Sequence, residues 1–385
     1  MAQWVFQTSQ FRLPVTASMG CVPRFDKTLI LDIDLTSEAA QAGQVKGETP
    51  QLMGVVEVND QGTPINDNIP GQFTRDPASR TDQMKGTLAF HLAGATPANA
   101  VRRFHAYFDQ PGSAPAVSNP VHFITLNDHV MHEAQQSYHI MTPRATYIYH
   151  KSGAGFASLL DPAGNDWISH HPGGGSDGEY RGIPNMVHPE GYFHPGNDGC
   201  ESQIIRQGPI LVSIHSASKD GLWSCIWDIC PEYATLTVNK AAQPFWFLYE
   251  GTPGGQLDEQ HDYIVRSTGA VTRASESWDG ALPEPEWLYF GTRDLNRVLY
   301  LVHHEPDDAI DSYWPMEHNM TVFGFGRMNL NKYLTDTPAH FTIGFAEHRE
   351  FSTVAAIIES AYQPVGLKIG PSEHRNDEPK RYGHA

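Results

Sequence analysis

Hydrophobic positions along this chain recur at every second residue or in short unbroken runs, the two patterns that β-strands produce. "KTLILDIDLT" (27–36), "GTLAFHLAG" (86–94) and "VRRFHAYFD" (101–109) are β-branched and aromatic and are bounded by turn residues. The same pattern predicts strands at 145–151, 156–161, 210–218, 234–241, 244–251, 287–291, 297–305, 320–326 and 340–347. One stretch breaks the rule. "EFSTVAAIIESAYQ" (350–363) sets Phe351, Val354, Ala355, Ile358 and Ala361 on one stripe, which predicts an amphipathic helix. Many strands with one or two helices indicate an all-β sandwich or a barrel-like fold. No repeat of fixed period is present, which argues against a propeller.

The pattern lapses over "DQPGSAPAVSNP" (109–120), a Pro, Gly, Ser and Ala stretch that predicts a linker or long loop. The chain therefore divides into an N-terminal β-sandwich module (1–120), a larger β-domain (121–368) and a polar tail (369–385). At 385 residues there is room for a core in each domain.

Charge narrows the partners. With a net charge of −18 the chain repels nucleic acid and anionic lipid, so neither is an expected partner. No apolar run is long enough for a membrane span. The opening residues show no basic segment followed by an apolar one, and the expectation is a secreted or periplasmic protein with its leader already removed, a cytoplasmic location being the alternative. Cys21, Cys200, Cys225 and Cys230 form no CxxC pair, which excludes a zinc ribbon and leaves one disulfide or free buried thiols. Oligomeric state is not legible. Walker, GxGxxG, HExxH and GxSxG motifs are absent, so kinase, Rossmann and α/β-hydrolase readings fall away.

The densest chemistry lies in "GEYRGIPNMVHPEGYFHPG" (178–196). Glu179, Tyr180, Arg181, Asn185, His188, Glu190 and His194 are separated by glycines and prolines that stiffen a loop. As the rim of a glycan cleft, such a loop offers Asn, Glu and His to hydroxyls and Tyr to the apolar face of a sugar. The alternative is a structural loop with a Glu179–Arg181 ion pair. Tyr149, His150 and Lys151 end a strand at a Gly-rich turn, and all three are acid–base candidates. "FWFLYEG" sets Trp246 and Glu250 on one side of a strand as a sugar subsite. "LVHHEPDDAIDSYWPMEHNM" (301–320) adds Tyr313 and Trp314, and it sets His303 and Glu305 on one strand face as ligands for a divalent metal (Ca, Mn or Zn), the one cofactor candidate.

The order of "YIYHKSGAGFASLLDPAGNDWIS", the polar loop, "GPILVSIHSA" and "ATLTVNKAAQPFWFLYEG" resembles the opening of the β-supersandwich of galactose-mutarotase-like proteins, over roughly residues 126–349. That superfamily includes aldose epimerases and the sandwich domains of many polysaccharide lyases and glycoside hydrolases. The resemblance implies an antiparallel β-supersandwich that binds sugar on its concave sheet face, and a polysaccharide or oligosaccharide as partner. Three functions follow as expectations. A lyase acting on a uronate-containing glycan would use Arg181 or a metal to neutralise the carboxylate, His188 or His150 as base, and Tyr180 or Tyr149 as acid. A glycoside hydrolase would pair carboxylates drawn from Glu179, Glu190, Glu250 and Glu305. A sandwich that only binds glycan is the third.

Overall fold

A computed structural model describes residues 4–41, 49–80, 83–109 and 121–375. The expected linker, apart from Asp109, lies outside the described residues, as does the last part of the expected tail. The chain forms two compact units, Met1–His122 with Gly208–Leu211 and Gln363–Ala385, and Phe123–Gln207 with Val212–Tyr362.

In the first unit, one sheet runs in the order Gly366–Ile369, Phe11–Ser18, Val101–Asp109, Gln51–Val58 and Pro64–Ile69, and a second in the order Arg24–Asp34, Lys85–Thr96, Gly71–Arg75. Alternation turns Phe11, Leu13, Val15, Phe104 and Phe108 of one sheet and Leu29, Leu31, Leu88 and Phe90 of the other into a shared core. The expected tail is not all tail. Phe11 pairs with His374 and Arg12 with Glu373, and the Arg12 guanidinium closes on the Glu373 carboxylate at 2.6 Å. Polarity hid this edge pairing, because an edge strand needs backbone partners and not an apolar face. The buried Arg24 guanidinium holds the returning chain through the carbonyls of Gln363 (3.0 Å) and Pro364 (2.9 Å). Gln72 receives the other return, accepting from the Leu211 N–H and donating to its carbonyl, each at 3.1 Å.

The second unit is an all-β sandwich of two antiparallel layers. One is a nine-stranded sheet in the order Cys200–Gln207, Val212–Ser218, Ser224–Ile229, Tyr233–Lys240, Ala339–Ala346, Val298–His303, Trp287–Gly291, Tyr263–Arg266, Val271–Arg273. The other contains two four-stranded sheets. The first orders Gly155–Leu160, Thr146–His150, Gln135–Met141 and Thr125–His132, and the second Phe247–Gly251, Met320–Phe325, Asp311–Met316 and Trp278–Gly280.

Residues 182–186 join those two sheets. Ile183 bridges Phe156 and Gly182 bridges Glu250, while the carbonyls of Pro184 and Met186 accept from Leu248 (2.7 Å) and Trp246 (3.4 Å). Rings from both layers meet in the core, with Phe156 on Trp227 at 4.7 Å and Phe247 stacked on Phe341 at 4.6 Å. Each buried aromatic side chain contributes roughly 1.5–3 kcal/mol by leaving water. The predicted helix forms at Phe351–Tyr362 and buries Val354, Ile358 and Ala361. All four cysteines are free thiols, so the disulfide alternative drops out. No helix among the described residues is long and apolar enough to cross a membrane.

Candidate functional site

The strand Phe247–Gly251 sorts its side chains by parity. Phe245, Phe247 and Tyr249 enter the core, so Trp246, Leu248 and Glu250 point to the opposite face. Across the sheet, Glu250 pairs with Val322 and Leu248 with Gly324, and these pair in turn with Trp314 and Ser312. One face therefore carries Trp246, Glu250, Ser312 and Trp314.

Asn185 reaches that face through its backbone. Its φ of 45° interrupts the bridging strip, so Ile183 fills the core while Asn185 turns to Glu250. The Asn185 amide donates to a Glu250 carboxylate oxygen, and to the Tyr180 carbonyl at 3.2 Å. Its own carbonyl oxygen Oδ1 is buried without a partner. The Trp246 indole fixes the strip by donating to the Asn185 backbone carbonyl at 2.7 Å.

Arg327 joins this group. It follows Gly326, whose φ of 65° turns the chain back over the sheet. A Cβ on Gly324 would lie 2.8 Å from the Arg327 Cδ, so glycine there leaves room for the arginine stem. The guanidinium lies 5.8 Å from the Trp246 ring and 5.9 Å from the Trp314 ring, and donates to Ser312 Oγ at 3.1 Å.

Burial pushes the Glu250 carboxyl up to about 7, against the opposing pull of the Asn185 bond and the Arg327 charge. Near neutral pH it therefore keeps a proton far more readily than an ordinary carboxyl. At the rim, Lys332 sits 4.7 Å from the Trp246 ring and pairs with Glu190 at 3.2 Å. His188 is half-buried, its ring 6.3 Å from that of the exposed Tyr180. Burial pushes the His188 imidazole down, with Lys332 and Arg327 adding to the effect, so it is held as a neutral base.

From His188 a row of imidazoles runs inward. Ring centroids lie 6.0 Å from His188 to His194, 6.1 Å on to His170, 5.4 Å on to His150 and 5.3 Å on to His132. The Gly196 N–H donates to His150 Nδ1 at 3.0 Å, so the His150 proton sits on Nε2 and faces His132 Nδ1, also at 3.0 Å. Burial and neighbouring imidazoles push His150 down to about 3 and His170 to about 4. His194 faces two carbonyls, of Pro195 at 2.6 Å and Tyr180 at 3.3 Å, a geometry that two N–H donors would satisfy. Burial nonetheless pushes it down to about 4. A group this enclosed stays neutral at pH 7, with its single proton in the shorter bond to Pro195.

The sequence-predicted residues thus divide. Tyr180, Asn185, His188, Glu190, His194, Trp246, Glu250 and Trp314 come together. Arg181 does not serve as a free cation. It is buried, and it donates to the carbonyls of Ser176 (3.1 Å), Ser169 (3.4 Å) and Asn319 (3.2 Å), which shapes the loop. Its ion pair is with Asp177, at 3.8 Å, and not with the exposed Glu179. Tyr149 and Tyr313 face the core, with their hydroxyls on Ser216 (2.8 Å) and the Ala274 carbonyl (2.6 Å). Lys151 pairs with Asp128 and covers the Tyr138 ring. His150 reaches that face only through the imidazole row, and His303 and Glu305 belong to a separate cluster. Sequence reading missed Arg327 and Lys332. The signal was "GRMNLNK" (326–332), two cations in a Gly turn directly after a strand.

No family model and no curated protein matches the chain. A solved structure described as a crystal structure analysis of HI1317 aligns with a TM-score of 0.42 at 13% sequence identity, spanning 58% of this chain and 99% of that one. Similarity at that level carries no functional argument.

Proposed function

We propose that the second unit is a carbohydrate-active domain that cleaves a uronate-containing polysaccharide by β-elimination. The observation that carries this reading is the convergence of a Glu250 carboxyl that burial holds toward its protonated form and the Arg327 guanidinium on one aromatic-walled face, with Glu250 fixed by the Asn185 amide. Arg327 and the protonated Glu250 form a donor seat for a carboxylate. Arg327, with the protonated Glu250 as a second donor, neutralises the uronate carboxylate and so acidifies its C5 proton. Neutral His188 takes that proton. The electron pair forms the C4=C5 double bond, the C4–O bond breaks, and the Tyr180 phenol protonates the leaving oxygen. Trp314, 40% exposed, offers an apolar platform to a sugar ring.

Arg327 thereby takes the role first expected of Arg181. Hydrolysis needs a second carboxyl beside the first. Glu250 is the buried one, whereas Glu190 is tied to Lys332 and Glu179 is exposed at the rim, which favours elimination. A polysaccharide substrate fits a secreted or periplasmic location. The test is a panel of uronate polysaccharides followed by ultraviolet absorbance of the unsaturated product. New reducing ends without that absorbance would indicate hydrolysis, and binding without product a glycan-binding sandwich.

A further inference from the structure

A second cluster lies at the end of the strand Val298–His303, apart from the residues of the proposed elimination. Glu286 and His303 are buried, at 3% and 5% exposure. His303 Nδ1 faces a Glu286 oxygen at 2.7 Å and an Asp307 oxygen at 3.8 Å. The other Glu286 oxygen accepts from the Asp307 N–H at 2.7 Å, which fixes the start of the loop that carries Asp307. On the far side of the ring, His303 Nε2 points at Glu305, 3.7 Å away. Glu305 is itself held by the His340 ring (2.5 Å) and the His340 N–H (2.8 Å). The imidazole is clamped flat against Phe341, at 4.8 Å and 13°. Among the described residues no lysine or arginine pairs with Glu286, Glu305 or Asp307. Glu286 is withdrawn from water, and its side-chain partner is a histidine and not a lysine or arginine.

We propose that Glu286, His303 and Asp307 form a binding site for one divalent transition-metal ion, Zn²⁺ or Mn²⁺. Their three donor atoms already lie within 4.8 Å of one another. Two ligands about 2.1 Å from one ion sit roughly 3.0–3.5 Å apart. The present separations of 2.7 and 3.8 Å bracket that spacing, so small side-chain shifts suffice. His303 would bind through Nδ1, which must then carry no proton, so the ring's N–H sits at Nε2, directed at Glu305, the outer carboxylate partner that a metal-bound histidine usually has. Glu305, expected from the sequence as a ligand, therefore orients the ligand instead. Two carboxylates with one imidazole suit a borderline ion better than Ca²⁺, which favours all-oxygen shells. Asp307 lies toward solvent, which gives the ion an entry path.

The test uses the full chain, stripped with chelator and titrated with ZnCl₂, MnCl₂ or CaCl₂ by calorimetry, with elemental analysis for stoichiometry. Saturable binding of one Zn²⁺ or Mn²⁺ per chain is expected, with Ca²⁺ failing to compete. Asp307→Asn, on the solvent side and so compatible with folding, should weaken binding by about tenfold or more. His132→Ala, which disrupts the separate histidine row, should leave it unchanged. The proposal is overturned if no ion binds stoichiometrically, if Asp307→Asn binds as the parent does, or if His132→Ala abolishes binding. Every readout is binding, so the outcome is independent of whether the protein cleaves a glycan.

Discussion

The two faces of the sheet built on Phe247–Gly251 and Asp311–Met316 each hold a carboxyl that burial raises to about 7, Glu250 on one and Asp311 on the other. Their partners differ. Asp311 accepts from two backbone donors, the N–H groups of Leu282 (2.8 Å) and Gly326 (2.9 Å), and so uses both oxygens to tie loops to the core. Glu250 is held by the Asn185 side chain, with a guanidinium beside it and an exposed tryptophan on the same face. A raised carboxyl is therefore not by itself a mark of chemistry. A carboxyl spent on backbone donors ties the structure together, whereas one met by an amide and a guanidinium side chain is a candidate for chemistry.

Substituting each carboxyl should separate the two roles most sharply. Glu250→Ala is expected to lower turnover by about 10²-fold or more, the range for a lost electrostatic group, with a modest change in thermal midpoint. Asp311→Ala strands two buried N–H groups and should cost about 2–4 kcal/mol in chemical denaturation, while the folded fraction keeps its activity. The comparison breaks if Asp311→Ala is stable and inactive. The arginines extend it. Arg327→Ala should lose turnover on a similar scale, whereas Arg181→Ala, which releases three loop carbonyls, should first lower the midpoint.

Acidity reads both faces together. Unfolded, the two groups ionise near 4.5 and 3.8, and folded, near 7. Between those values the native state holds protons that the unfolded chain has released. Their contribution is full below about pH 4 and is lost as pH rises through 7, with a ceiling of roughly 3–4 kcal/mol each. The buried histidines act in the opposite sense. His150, His170 and His194, pushed well below their ordinary 6.5, contribute stability above that pH and lose it as pH falls toward 4. Both effects fall in the same window, roughly pH 4 to 7, and oppose each other there. Asp311→Asn and Glu250→Gln each remove a carboxyl contribution, so stability should fall more steeply on acidification from pH 7, and Glu250→Gln should also remove the fall in activity above pH 7. A stability profile unchanged by both variants would contradict the raised carboxyls.

Strand parity made much of this legible. Period 2 alone set Trp246 with Glu250 and, read strictly, separates Tyr149 from His150 and Tyr313 from Trp314, because neighbours cannot share a face. Two features were hidden. Residues 182–186 form a sheet-joining strip although their glycine and proline content argues against a strand, since their bonds come from Phe156, Leu248 and Glu250, distant in sequence. Arg327 and Lys332 lie beyond the predicted strand 320–326, and only the turn at Gly326 returns them over Trp246. Tertiary contacts of that range leave no local pattern. The pairing of Glu286 with His303 was equally hidden, seventeen positions apart, with Glu286 just before one strand and His303 at the end of its neighbour.

The smallest expected effect tests parity within two adjacent residues. Tyr313 is 1% exposed and Trp314 is 40% exposed. Tyr313→Phe removes the hydroxyl bonded to the Ala274 carbonyl, so about 1 kcal/mol of stability should go with unchanged kinetics. Trp314→Ala removes a ring that no core residue needs, so the midpoint should hold. If that ring is a sugar platform, KM for polymer should rise by about tenfold, equivalent to the roughly 1–1.5 kcal/mol of a lost aromatic contact, with kcat nearly constant. A Trp314→Ala variant that lost stability and kept its KM would place the working face of this sheet elsewhere, because the residue would then be packing and not platform.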